Sequence, residues 1–156
     1  KYLKSIVNLA NRYYDIVLID IEGKPEEQQI KEILQMSTVK VATLVQKLNV
    51  IDDYLEERDE KPILQEGDWI ISIGKYDEKT KYTIKNVSKY IKEKRVYGIP
   101  YNTMFSMDAP EGKVADYIIR YKRDKQTHIN AEFINSIDKE AEEIVNLVKE
   151  GQRKIY

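Results

Sequence analysis

The sequence contains no cysteine and one histidine, His128. Without thiols there can be no disulfide framework, no thiolate zinc site and no cysteine nucleophile. A lone histidine with no Asp, Glu or Cys at ligand spacing reads as a solvent-facing residue at a helix start. No purely apolar run exceeds five residues, too short to span a bilayer. No basic-then-apolar leader pattern opens the chain, so the expectation is a cytoplasmic protein in a reducing compartment. Charge of one sign is not in excess either: 26 Lys and Arg face 27 Asp and Glu. That balance excludes a strongly basic nucleic-acid binder and an acidic tail, and 42% hydrophobic residues exclude a disordered chain. What remains is 156 residues and 18.4 kDa, enough for one ordinary domain or half of a larger one.

Apolar spacing predicts the elements. Leu3, Ile6, Val7 and Ala10 form a helical stripe. Tyr14–Asp20 contains four consecutive branched apolar residues ending at an aspartate, the pattern of a strand buried on both faces. A helix is expected from Pro25, which suits a first turn, to about Met36. A strand over Val39–Val45 and a helix over Val50–Arg58 follow, then a loop over 59–67. Trp69–Gly74 reads as a central strand, Ile84–Ile91 as a helix, and Arg95–Ile99 as a short strand stopped by Gly98 and Pro100. Two further helices are expected, over Gly112–Arg120 and through Ile134–Val148. This alternation predicts an α/β fold, a mostly parallel, doubly wound sheet with helices on both faces. Ligands of such sheets lie beyond the carboxyl ends of the strands, here residues 20–24, 46–49, 74–77 and 100–108.

The first strand end carries Asp20 and Gly23, an Asp-x-x-Gly after a hydrophobic strand. An aspartate so placed can hold a Mg²⁺-bound water, and the glycine can let the backbone approach a terminal phosphate. A capping or turn role is the plain alternative for both. Glu22 reads as an ordinary exposed loop glutamate. Further on stands Gly98-Ile99-Pro100-Tyr101-Asn102, followed by Ala109 and Gly112. Together with Tyr14–Gly23, this order resembles the C-terminal half of a MinD/ParA-type P-loop ATPase of the deviant Walker group, including its TadZ/CpaE pilus-positioning branch. The resemblance covers nearly the whole chain. It implies a partial Rossmann-like fold with Asp20 as the Walker B metal ligand and Gly23 as the phosphate-sensing turn. It also places Gly74, Pro100 and Tyr101 beside the nucleotide base, and ATP and Mg²⁺ in the full-length protein. Relatives of this kind position pili or secretion machinery, or partition plasmids and chromosomes.

Three departures stand against that pattern, one being that Asp20-Ile21-Glu22-Gly23 lacks the proline that often follows the Walker B aspartate. None of the three Gly-Lys pairs (Gly23-Lys24, Gly74-Lys75, Gly112-Lys113) has a glycine five residues earlier, so the phosphate loop is missing. Gly74 also stands where the family usually presents an asparagine to adenine. Lys1 is not a start methionine, and the expectation is that this is the second half of a longer protein, inactive toward ATP by itself. An apolar sheet edge left bare in that way predicts a homodimer. The alternatives are a catalytically degenerate interaction or localisation domain, and a receiver-like regulatory domain in which Asp20 accepts a phosphoryl group. Protein partners of a positioning machinery are expected. A lysine-rich stretch from Lys75 to Arg95, and Arg120, Lys122, Arg123 and Lys125, allow nonspecific DNA contact, but the preferred reading is a solvated face. The acidic face of Asp52, Asp53, Glu56 and Glu57 reads as solvated, and the C-terminal Arg153-Lys154 tip does not read as a membrane helix.

Overall fold

A computed structural model describes residues 2–123 and 128–153, with the side chains of Tyr2, Arg123, His128, Ile129, Gln152 and Arg153 left out. Lys125 and Lys154, and the side-chain roles expected for Arg123, His128 and Arg153, therefore lie outside the described residues.

The chain's centre is a sheet of three parallel strands in the order β1-β2-β3. β1 is Val39–Val45, β2 is Asp68–Tyr76 and β3 is Val96–Pro100. β1 runs beside β2 from Val39 opposite Asp68 to Val45 opposite Gly74. β2 runs beside β3 from Ile71 opposite Val96 to Tyr76 opposite Pro100, with a shift in register between Gly74 and Tyr76. Ile70, Ile71 and Ile73 of β2 are fully buried. Successive strand side chains point to opposite faces, so this strand must be covered on both.

The described residues also form seven α-helices: α1 Tyr2–Ala10, α2 Gln28–Met36, α3 Leu48–Glu60, α4 Ile84–Ile91, α5 Thr103–Asp108, α6 Val114–Arg123 and α7 His128–Arg153. Ile71 and Ile73 meet Ile51 of α3 and Val87 and Ile91 of α4 in one core cluster. α4 begins cleanly because the Thr83 hydroxyl accepts from the Asn86 N–H, and it ends on Lys92 in the left-handed conformation. The opposite face belongs to α7, whose Glu140 accepts a 2.8 Å bond from the Ser72 hydroxyl in mid-β2. A second cluster joins Phe133 and Ile134 of α7 to Tyr117 of α6, with Ile99 and Phe105 packed against it. The parallel α/β architecture expected from the sequence is present, with helices on both faces of its sheet.

Two expectations need correction. Tyr14–Asp20 is not a strand: residues 14–22 lie outside the sheet, and Leu18 is 86% exposed. The run is apolar enough for a central strand, but a ladder needs a partner, and none of the three strands supplies one. Pro25 precedes α2 by a turn instead of opening it. The sequence reading also missed α5, a six-residue helix capped where the Asn102 carboxamide oxygen accepts from the Phe105 N–H. Gly98 is a close approach: a β-carbon there would lie 2.5 Å from the Tyr76 ring.

Burial raises the Glu140 carboxyl above the usual glutamate range, and the Ser72 hydroxyl only partly opposes this. The folded chain therefore holds that proton more tightly than the unfolded one. The resulting stabilisation is complete below the ordinary glutamate pKa and is lost as pH rises through the raised value. Glu140→Gln should remove this component, leaving stability flatter with pH and higher at neutral pH by on the order of 1 kcal/mol. Urea melts of both proteins between pH 4 and pH 8 (roughly spanning that titration) test this; parallel curves would refute it.

Candidate functional site

Parallel α/β sheets bind ligands at the carboxyl edge, where strands end and helices begin. Register places Val45, Gly74 and Ile99 in one row there, with Pro100 next to Tyr76 and Tyr101 just beyond. Three of the five residues singled out from sequence (Gly74, Pro100 and Tyr101) thus share this edge. Tyr101 is exposed. The other two do not join them. Asp20 is exposed on the irregular segment outside the sheet and has no hydrogen bond or ion pair among the described residues. Gly23, at φ 142°, sits against Glu27 and Ile30 at the entry to α2.

Most polar side chains on the edge are already occupied. Gln46, directly after β1, donates through Nε2 to the Asp77 carbonyl at 3.0 Å, the Thr80 hydroxyl at 2.9 Å and the Tyr82 carbonyl at 2.8 Å. Its Oε1 accepts from the Asp77 N–H at 2.8 Å. One carboxamide thereby fastens the 77–82 loop to the end of β1. Asn102, after β3, is buried; it caps α5 and donates to Asn130 at 2.8 Å, whose oxygen also accepts from the Tyr117 hydroxyl at 3.2 Å. Lys75 is different. It is exposed, occupies the register shift in β2 and has φ 53°, a left-handed conformation that costs a non-glycine residue energy.

Nothing here forms a phosphate cradle. Gly74 does not mark a close approach, since the nearest atom to a β-carbon there is 3.8 Å away. Beside the edge opens a cleft of about 560 Å³ lined by Tyr76, Gly98, Ser136, Lys139 and two carboxylates, Glu78 and Glu132. One cation against two anions disfavours a polyphosphate. A smaller cavity of about 260 Å³ at the amino edge holds Arg58 and Arg95. Both guanidiniums are paired there, Arg58 with Glu93 at 3.4 Å and Arg95 with Asp68 and Glu143 at 2.9 Å each. No group of three potential metal ligands occurs among the described residues, so Asp20 has no co-ligands for a cation. The described residues therefore do not fit Mg-ATP.

The basic stretches also lose members to the fold. Arg95 is neutralised as above, Lys122 pairs with Asp138 at 2.7 Å, and Lys81 lies over the Tyr82 ring at 5.1 Å. Sequence reasoning had marked the strand ends but not the roles of Gln46, Lys75 or Asn102. The available signal was a polar residue near each strand's carboxyl end: Gln46 directly after β1, Lys75 one residue before the end of β2 and Asn102 two residues past β3. Comparison with protein-family models, curated proteins and solved structures gave no match. The fold and edge define a parallel α/β domain with no helix, among the described residues, long and apolar enough to cross a membrane.

Two substitutions separate the clamp from the strained cation. Gln46→Ala should cost about 1–2 kcal/mol and raise hydrogen exchange at the Asp77 amide, because the Asp77 backbone and the half-buried Thr80 hydroxyl and Tyr82 carbonyl lose their bonds at once. Lys75→Gly should stabilise the fold by up to about 1 kcal/mol by relieving the left-handed backbone. Thermal melts and amide exchange read both, and a Lys75→Gly variant less stable than the parent would contradict the assignment of strain.

Proposed function

We propose that this chain is an assembly and localisation module built on the ATPase type of α/β fold, working by binding other proteins and not turning over nucleotide itself. One observation carries the reading: the carboxyl edge, where such folds hold nucleotide, spends Gln46 and Asn102 on internal bonds and offers no cradle. The MinD/ParA resemblance supports the fold's ancestry and a role in positioning pili, secretion machinery or DNA. In that setting its partners are proteins of the positioning apparatus, in the cytoplasm, and ATP with Mg²⁺ belongs to a longer form of the protein.

A second reading, half of a working nucleotide-switch ATPase, is favoured by the character of the 14–21 segment. Val17, Ile19 and Ile21 are half-buried while Ile16, Leu18 and Asp20 are exposed, a strand-like alternation that runs up to Gly23. In that reading Asp20 holds the Mg²⁺-bound water and Gly23 the turn near the terminal phosphate, once the segment belongs to a sheet. Gly74, Pro100 and Tyr101 then flank the base.

Calorimetric titration of the chain with Mg-ATP, beside an Asp20→Ala control, tests the choice. The expected result is no saturable binding up to on the order of 1 mM nucleotide. Saturable binding overturns the module reading, and its loss in Asp20→Ala would assign the site to the ATPase reading.

A further inference from the structure

β1 is an edge strand of the sheet. Its inner side pairs with β2 over all seven residues, and among the described residues no further strand lies beyond it. Natural edge strands are blunted by proline, bulges or outward-pointing charge. β1 has none of these. It contains no proline, the register shift of the sheet lies between β2 and β3, and its one charge is turned inward. Lys40 is buried, with Nζ 2.9 Å from the Glu66 carbonyl and 5.7 Å from the centre of the Trp69 ring.

One face of the strand is only partly covered as well, although α7 packs on this side of the sheet. Ala42 and Leu44 pack with α3 and α4 in the core, while Val41 and Val45 are 42% and 39% exposed and Thr43 between them is exposed too. Leu48, at the start of the helix that follows β1, is 41% exposed and extends this apolar surface past the strand's end. Surface of this character marks an interaction site.

We propose that β1 is a self-pairing edge, joined antiparallel to β1 of a second copy across a two-fold axis at Ala42, so that two three-stranded sheets become one of six strands. The strand's own sequence argues for this occupant. Pairing about Ala42 sets Val39 opposite Val45, Lys40 opposite Leu44 and Val41 opposite Thr43 in each direction. No charge meets a like charge, and the pairs on the partly covered face are all β-branched, the combination that antiparallel pairs favour. A two-fold axis makes the contact isologous and closed, so both open edges are used and no new one is created. The proposal does not depend on the nucleotide question: Mg-ATP binding would overturn the module reading and leave this pairing standing.

The test is a charge exchange at two exposed positions, read by sedimentation velocity. The parent chain is expected as a dimer at micromolar concentration, twice the 18.4 kDa mass. Val41→Lys/Thr43→Lys sets lysine against lysine at the Val41–Thr43 pair in both directions and should weaken the dimer at least about tenfold. Far-UV circular dichroism and melting of the monomer should not change, since both side chains face solvent in it. Val41→Glu/Thr43→Glu should dissociate likewise, and an equimolar mixture of the two should recover a heterodimer, which a merely damaged fold could not do. The native chain has no cysteine, so Val41→Cys mixed with Thr43→Cys should form an intermolecular disulfide faster than either alone. A monomeric parent at about 100 μM would overturn the proposal. So would a dimer that ignores the β1 charges but dissociates in Leu18→Asp, which would assign the contact to the 14–21 segment.

Discussion

The fold depends on the burial of β2. Three isoleucines on alternate faces of one strand, all removed from water, cannot be covered by a single layer. α3 and α4 must close one side and a third helix the other, and each flanking strand must supply the ladder that keeps the buried backbone paired. α7 meets the second demand as the longest helix of the described chain, and it brings the half-buried carboxyl of Glu140 with it. That carboxyl is tolerable because the Ser72 hydroxyl donates to it, and because the protonated form is available where the neighbourhood is least polar. Shape and charge state are thus linked at the sheet's centre.

The same constraint explains what the sequence could reveal. Val39–Val45 and Ile84–Ile91 were legible to the residue, because alternating or helical apolar spacing and the flanking turn residues are local signals. The central strand was legible as such from Trp69–Gly74, though it runs on through Lys75 to Tyr76, where a left-handed residue absorbs the register shift. Tyr14–Asp20 carries as strong an apolar signal as any strand, and it misled. Apolar content measures the wish to be buried, whereas strand pairing depends on a distant neighbour that no local pattern encodes. α5 was missed for the opposite reason: six residues are too few for periodicity, and its only marker was the Asn102 cap.

The candidate site was legible in location more than in chemistry. Topology alone directed attention to residues after the strands, and Gly74, Pro100 and Tyr101 do share that edge. Which edge residues are free to act is a matter of hydrogen-bond accounting that requires coordinates. Gln46 and Asn102 look on paper like ligand-reading amides, yet each spends its donors and acceptor on the chain itself. Lys75 remains available, and it sits on strained backbone, where the fold holds a cation outward at the cost of some stability. The edge is therefore better organised for rigidity than for gripping a polyphosphate.

Electrostatics leaves the association of copies to local fit. A formal net charge of −1 provides almost no mutual repulsion, so nothing at long range keeps two chains apart. Soluble proteins in that position normally guard their sheet edges with individual charges. Here the one charge on the edge strand faces inward, where burial lowers the Lys40 pKa and the Glu66 and Asp68 carboxylates only partly offset this. Lys40 is thereby committed to the amino end of the sheet, beside Trp69 and the Gly67 turn. The residue that could have blocked the edge instead stabilises the loop leading into β2. Covering the central strand has taken precedence over guarding the outer one, and an edge left in that condition is best accounted for as one that is normally occupied.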